Sequence, residues 1–168
     1  MDKNLKTYFD RLDIKYKIHK HPAVFTVEES LKLKEKLPDV FHTKNLFLRD
    51  ESKPRKYFLV SMDAYKRLDL KSLSRKLNVK KKLSFASALE LKEKLKLTPG
   101  SVSLFGMIYA KRGEVILILG KEIWEARKVG FHPNINTSTL ELKHEDLEKF
   151  YYSLKSEKNI YSLPTLQS

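Results

Sequence analysis

Apolar residues recur at three- and four-residue spacing over the first dozen positions (Leu5, Tyr8, Phe9, Leu12), which predicts a short amphipathic helix. Ile14, Tyr16 and Ile18 then alternate with lysines, the period of a half-buried strand. Thr26 to Glu29 reads TVEE, a capping box in which the Thr hydroxyl accepts from the third helical amide and Glu29 reaches back. A helix is expected to follow to about Lys36 and to stop before Pro38. Asn45 to Arg49 and Tyr57 to Met62 are apolar runs either side of the polar stretch 50–56, the pattern of a hairpin.

Asp69 is placed to cap a helix through Leu77, and Ser87 with Glu90 forms a second capping box for a helix to about Leu95. Thr98-Pro99-Gly100 breaks that pattern. Val102 to Tyr109 and Glu114 to Leu119 flank a turn at Lys111 to Gly113, which predicts a second hairpin. Ile123 and Trp124 fall in a connector, Thr137 to Leu142 alternates as a strand, and Asp146 to Leu154 returns to helical spacing. Helices interspersed with hairpins predict one α+β domain over 1–154, with a mixed, mostly antiparallel sheet. The polar tail 155–168 is expected to fray.

Composition narrows the chemistry. The 168 residues include no cysteine, which excludes disulfides, thiolate metal sites and a cysteine nucleophile, and fits a reducing compartment. No secretory leader and no run of about 18 apolar residues is present, so a cytoplasmic protein that does not span the membrane is expected. Lys and Arg number 34 against 21 acidic residues, a net charge of +13. A field of that sign attracts polyanions, although a lysine-rich surface alone leaves nucleic-acid binding at even odds. The basic clusters at Lys53, Arg55 and Lys56 and at Lys80, Lys81 and Lys82 lack interleaved aromatics for base stacking. Phosphate contact is the better expectation. The five histidines (19, 21, 42, 132, 144) form no HExxH or other metal-ligand spacing, so neither metal nor cofactor is expected. No GxSxG elbow and no phosphate-cradling glycine loop occurs.

Three loop segments remain. Phe41 to Asn45 sets Lys44 at the mouth of an apolar strand, where an ammonium can polarise a carbonyl or pair with phosphate. Leu97 to Val102 brings Gly100 and Ser101 to a turn whose amides could face an oxyanion. Gly130 to Thr137 is rich in hydrogen-bonding side chains. Taken singly, each is as well explained by a solvated strand end, an ordinary turn or a capped loop.

In combination and order, HPAVFTVEE at 21–29, HTKNLFLRD at 42–50, LSFAS at 83–87, LTPGSV at 97–102 and FHPNINT at 131–137 closely resemble the YbaK/prolyl-tRNA-synthetase-associated editing domain. Within it, the chain is most similar to the free-standing alanyl-tRNA(Pro) deacylases, over residues 3 to 154. The pairing of HTKN with FHPNINT is the specific element; the related cysteinyl-tRNA(Pro) deacylases share the lysine but lack the FHP loop. The resemblance implies a mixed, barrel-like sheet flanked by helices and hydrolysis of the ester joining a misplaced amino acid to the terminal ribose. It implies a catalytic centre at Lys44, His132 and the Gly100-Ser101 turn. A substrate pocket would draw on Asn45, Val24, Phe25, Thr26, Phe105, Gly106, Asn136 and Thr137. The implied partners are tRNA for proline and, beside it, prolyl-tRNA synthetase, for a chain that acts as a monomer. Two departures stand out. Leu104 occupies a position where many members carry proline, which puts loop rigidity and amino-acid range in question, and Tyr109-Ala110 replaces a common Asn-Asp. Removal of another amino acid, and a catalytically silent tRNA-binding module, remain the alternatives.

Overall fold

The computed structural model describes residues 1–167, with the backbone alone for Val27. Its elements follow the order α1 (Lys3–Leu12), β1 (Lys17–Lys20), α2 (Val27–Lys36), β2 (Phe41–Asp50), β3 (Tyr57–Asp63), β4 (Arg67–Leu68), α3 (Leu70–Lys76), β5 (Leu83–Phe85) and α4 (Ala88–Leu95). A 3-10 helix (Leu104–Tyr109), β6 (Val115–Gly120), α5 (Lys121–Glu125), β7 (Lys128–Phe131), β8 (Ser138–Lys143), α6 (His144–Ser153), β9 (Lys158–Tyr161) and β10 (Thr165–Leu166) complete it. Eight strands form one mixed sheet in the order β1-β8-β7-β2-β3-β6-β9, with β5 also on β2, while β10 pairs with β4. The β2/β3, β2/β5, β1/β8 and β7/β8 pairs are antiparallel. The β2/β7, β3/β6 and β6/β9 pairs are parallel. None of the helices is long and apolar enough to cross a membrane among the described residues.

β6 and the first four residues of β3 are apolar without interruption because both of their faces are covered. Along β3, Tyr57 and Leu59 point into the main core with Phe9, Phe105, Phe131 and Phe150, whereas Phe58 and Val60 join Leu48, Leu73, Leu83 and Ile118 under α3. Local chemistry sets the helix starts. The side chains of Thr26, Asp69 and Ser87 accept the amides of Glu29, Ser72 and Glu90 respectively, filling orphan donors at three N-termini.

Two expectations fail. The predicted strand Val102–Tyr109 is a 3-10 helix from Leu104, so the hairpin expected with Glu114–Leu119 does not form; Ser103 caps the helix by accepting the Phe105 amide at 3.2 Å. Leu104, Phe105, Gly106 and Met107 are all buried, and a run buried on every side carries no period to tell strand from helix. Its supposed partner β6 lies instead between β3 and β9, parallel to both. The tail does not fray either: β9 pairs with β6 from Leu117↔Lys158 to Gly120↔Tyr161. All four β9 residues are only half-buried, which is why no apolar stripe announced them.

Candidate active site

β2 pairs with β7 only at Phe41 and His42, then with β3 from Thr43, β5 joining its far end at Leu48 to Asp50. The sheet therefore parts at Thr43, whose hydroxyl donates to the Gly130 carbonyl at 2.7 Å and bridges the fork. A cavity of about 50 Å³ sits there, lined by His42, Thr43, Gly130, His132, Thr139 and residues of the α2 region including Val24 and Leu33. Gly130 is required at this point. A Cβ on it would stand 2.8 Å from Val40 and 2.9 Å from Thr139 side-chain carbons, closer than real packing allows.

Three imidazoles gather around this fork. His132 Nδ1 lies 3.1 Å from the Ser138 carbonyl. A carbonyl can only accept, so Nδ1 carries the proton and Nε2 keeps its lone pair. The same logic fixes His21: Nδ1 donates to the Pro22 carbonyl at 2.8 Å, and Nε2 accepts from the Thr139 hydroxyl at 2.9 Å. His42 Nε2 donates to the Leu37 carbonyl at 3.0 Å. The His21 and His132 rings stand 6.4 Å apart. Burial holds the pKa of His132 below the ordinary imidazole value against the pull of its Ser138 bond, and burial does the same to His42, helped by Lys34 and His21. Both rings are therefore neutral near pH 7.

Lys44 does not line the cavity itself. It lies two positions beyond His42 on β2, hence on the same face about 7 Å along. Burial depresses its pKa, partly offset by Asp63 and reinforced by Arg67. Among the described residues its ammonium has no hydrogen-bond or ion-pair partner. A half-buried lysine without a partner, beside two neutral histidines, is the kind of perturbed cluster that marks a reactive site more often than a structural one. Asn45 faces the opposite way by strand alternation, where its side-chain oxygen accepts from Ser61.

The Gly100 turn reaches the same region. Gly100 adopts φ +88°, and its α-carbon position abuts the Phe25 ring and the Asn136 amide, which a Cβ would meet at 3.6 and 3.7 Å. Ser103 ties the turn to the histidine loop, since its hydroxyl donates to the His132 carbonyl. From the far side, Asp2 accepts from Asn134 at 3.0 Å and from Tyr109 at 2.6 Å, which anchors the 132–137 loop to the N-terminus. Thus Val24, Phe25, Gly100, His132 and Asn136 come together in space. Thr26 lies next to them at the α2 N-cap, its hydroxyl engaged with Glu29. Thr137 is exposed, and its carbonyl accepts the His21 amide.

Other assignments need correction. Ser101 cannot offer its amide to an oxyanion, because that N–H donates to the Thr98 carbonyl at 3.0 Å to close the turn. Phe105 is fully buried against Phe9, Phe131 and Phe150, so it is a core residue and not a pocket wall. Gly106 is buried beneath Leu97, whose side chain stands 2.5 Å from where a Cβ on Gly106 would be. Leu104 is likewise 1% exposed in the main core, so its replacement of a proline alters packing and not a substrate-facing loop. Conversely, His21, His42 and Thr139 line or brace the site without having been singled out. Both histidines stand inside the motifs at 21–29 and 42–50, where only their proximity to Thr139 and His132 in space marks them.

Of the basic clusters, Lys53, Lys56 and Lys80 line a common groove of about 380 Å³, joined by Lys76. Arg55 is turned away to Glu90 at 3.3 Å, and Lys81 and Lys82 are exposed outside that lining.

Comparison with known proteins agrees with this geometry. A family model described as an aminoacyl-tRNA editing domain matches residues 21–150. The chain is 42% identical over 140 residues to a prolyl-tRNA editing protein of Acetoanaerobium sticklandii, covering 83% of this chain and 84% of that one. It is 34% identical over 149 residues to a prolyl-tRNA synthetase associated domain-containing protein of Xenopus laevis, covering 87% of each. A crystal structure described as a candidate trans-editing enzyme for prolyl-tRNA synthetase superposes with a TM-score of 0.67 over 97% of this chain and 98% of that chain, at 16% identity, which speaks for the fold. The chain belongs to the aminoacyl-tRNA editing domain family.

Proposed function

We propose that the protein is a trans-editing aminoacyl-tRNA deacylase that hydrolyses the ester of alanine mistakenly attached to tRNA for proline. It would work in the cytoplasm beside prolyl-tRNA synthetase, as a monomer. The observation that carries the reading is the fork of the sheet, where a cavity bordered by neutral His42 and His132 lies next to the unpartnered ammonium of Lys44.

An aminoacyl ester is already activated, so no covalent nucleophile is needed; the site has to place a water and stabilise charge on the carbonyl oxygen. His132, with its proton fixed on Nδ1, presents Nε2 as an acceptor that orients water for attack. Lys44 supplies positive charge to the developing oxyanion or the adjacent ribose-phosphate. In a half-buried setting that charge acts more strongly than in bulk water. The Gly100 amide, next to Phe25 and Asn136, is the donor left for the aminoacyl carbonyl once Ser101 is committed to its turn. Asn45, on the other strand face, would act by holding β2 to Ser61. The cavity is small, with space for roughly three or four waters, which suits a compact side chain such as the methyl group of alanine.

Deacylation of a panel of mischarged tRNAs by the wild type, Lys44→Ala and His132→Ala tests the reading. Turnover of Ala-tRNA(Pro) should fall about 100-fold or more in each folded variant. Retention of full turnover in both would remove these groups from the mechanism.

A further inference from the structure

The groove shared by the two lysine clusters lies on the same sheet face as Lys44 but at the other end of β2. Its floor is Phe58, Ile116 and Ile118, and its walls carry Lys53, Lys56, Lys76 and Lys80 against the carboxylates of Asp50 and Glu157. Asp50 is already occupied, since it accepts the Ser52 amide at 2.9 Å. Lys76 is pre-placed: its ammonium donates to the Ser162 carbonyl at 3.0 Å and stands 4.6 Å over the Tyr161 ring. Lys53, Lys56 and Lys80 are exposed and make no ion pair among the described residues. Ser52 also lines the groove. It is 7% exposed, and its hydroxyl has no hydrogen-bond partner among the described residues. A buried, unmet hydroxyl in a lysine-walled groove calls for an external acceptor such as an anionic oxygen.

We propose that this groove seats the phosphate backbone of the RNA acceptor duplex, and so measures the distance from the duplex to the ester. The inference rests on the deacylase reading for the identity of the RNA. From Lys44 to Asp50 is six strand residues, about 20 Å at roughly 3.3 Å each, and Lys56 sits opposite Asp50, its carbonyl accepting the Asp50 amide at 2.9 Å. Stacked nucleotides advance about 3.4 Å each. With the esterified ribose near Lys44, the groove therefore meets backbone about six or more nucleotides away, beyond the short unpaired 3′ end and into the paired stem. The contact is to phosphate and carries no base readout. It would favour an acceptor stem over a free aminoacyl oligonucleotide without choosing among stem sequences.

The test compares the wild type with the triple substitution Lys53→Ala, Lys56→Ala, Lys80→Ala and with Ser52→Ala. Substrates are alanylated tRNA(Pro) and an alanylated 3′ fragment of about four nucleotides, too short to reach the groove at about 3.4 Å each. The preference for full tRNA over the fragment, as a ratio of kcat/KM, should fall about ten-fold or more in the triple variant through KM, and by less in Ser52→Ala. The log–log salt slope for binding should drop by roughly one per lost phosphate contact. An unchanged preference ratio with an unchanged slope overturns the proposal. Fluorescence anisotropy with uncharged acceptor-stem RNA separates the two readings. Weakened binding by the triple variant supports the groove even if no ester is hydrolysed, and equal binding by variant and wild type overturns it even if deacylation is intact.

Discussion

Glu90 was expected only to cap α4, yet its carboxylate joins four parts of the chain. It accepts the Ser87 amide at 3.0 Å, completing the capping box, and also takes hydrogen bonds from Arg49 on β2 and Tyr57 on β3 and an ion pair from Arg55 in the loop between them. Burial alone would raise its pKa, but the bonds from Tyr57, Ser87 and Arg49 outweigh it and hold the group at about 2 against an ordinary 4.5. With its side chain 11% exposed, that depression is worth about 3 kcal/mol of folding stability at neutral pH, at about 1.36 kcal/mol for each tenfold change in proton affinity. The folded-state pKa is depressed, so the stabilisation is complete above the unfolded value of 4.5 and declines as pH falls toward 2. Linkage leaves about 1.5 kcal/mol of it at pH 3. Glu90→Gln keeps the shape and removes the charge. Urea unfolding should therefore show a deficit of about 3 kcal/mol at pH 7 that shrinks to about half by pH 3. A deficit that is equal at the two pH values, or below about 0.5 kcal/mol at pH 7, would refute the electrostatic account. Arg55, itself 37% exposed, should matter much less when replaced by alanine.

The depressed pKa values of His132 and His42 predict deacylation that is flat from the ordinary histidine value of about 6.5 until Lys44, whose pKa burial lowers, loses its proton on the alkaline side, and that falls on acidification below about 6.5. An acid limb centred at or above 6.5 in a pH–rate profile contradicts neutral acceptors held so by burial. Ser103→Ala frees the His132 carbonyl and the Phe105 amide, and should cost about 1–3 kcal/mol in unfolding with a drop in kcat. A normal kcat would mean that the Gly100 and His132 loops keep their register without it. Leu104→Ala should destabilise by about 2–5 kcal/mol as a core truncation, while the ratio of alanine to serine release stays constant. A changed ratio would return Leu104 to the substrate loop.

How much of this was visible beforehand depends on whether a residue's task is local. Asp69 and Ser87 cap the helices their spacing predicted, because a cap is decided by the next few residues. The β2/β3 hairpin was equally plain from its two apolar runs. The path of the chain from Ser103 to Tyr109 was not, since Phe105 and Met107 are buried in the main core, and burial on all sides erases periodicity. β9 escaped notice because its partner β6 is about forty residues away in sequence and edge pairing uses backbone groups common to every residue. Within the site, the structure brings Val24, Phe25, Gly100, His132 and Asn136, drawn from separate motifs, close together. The hydrogen bonds that fix the tautomers of His21 and His132, and the one that occupies the Ser101 amide, run to carbonyls. Carbonyls leave no mark on a sequence.

The central claim is that the fork beside Lys44 removes alanine from tRNA for proline and refuses proline itself. Its most direct test is the ratio of kcat/KM for release of labelled alanine and of labelled proline from the same purified tRNA(Pro). The account predicts rapid release of alanine and a ratio of about 100 in its favour, the scale on which a small pocket separates side chains that differ by methylenes. No release of alanine, or release of both amino acids at similar rates, would contradict it.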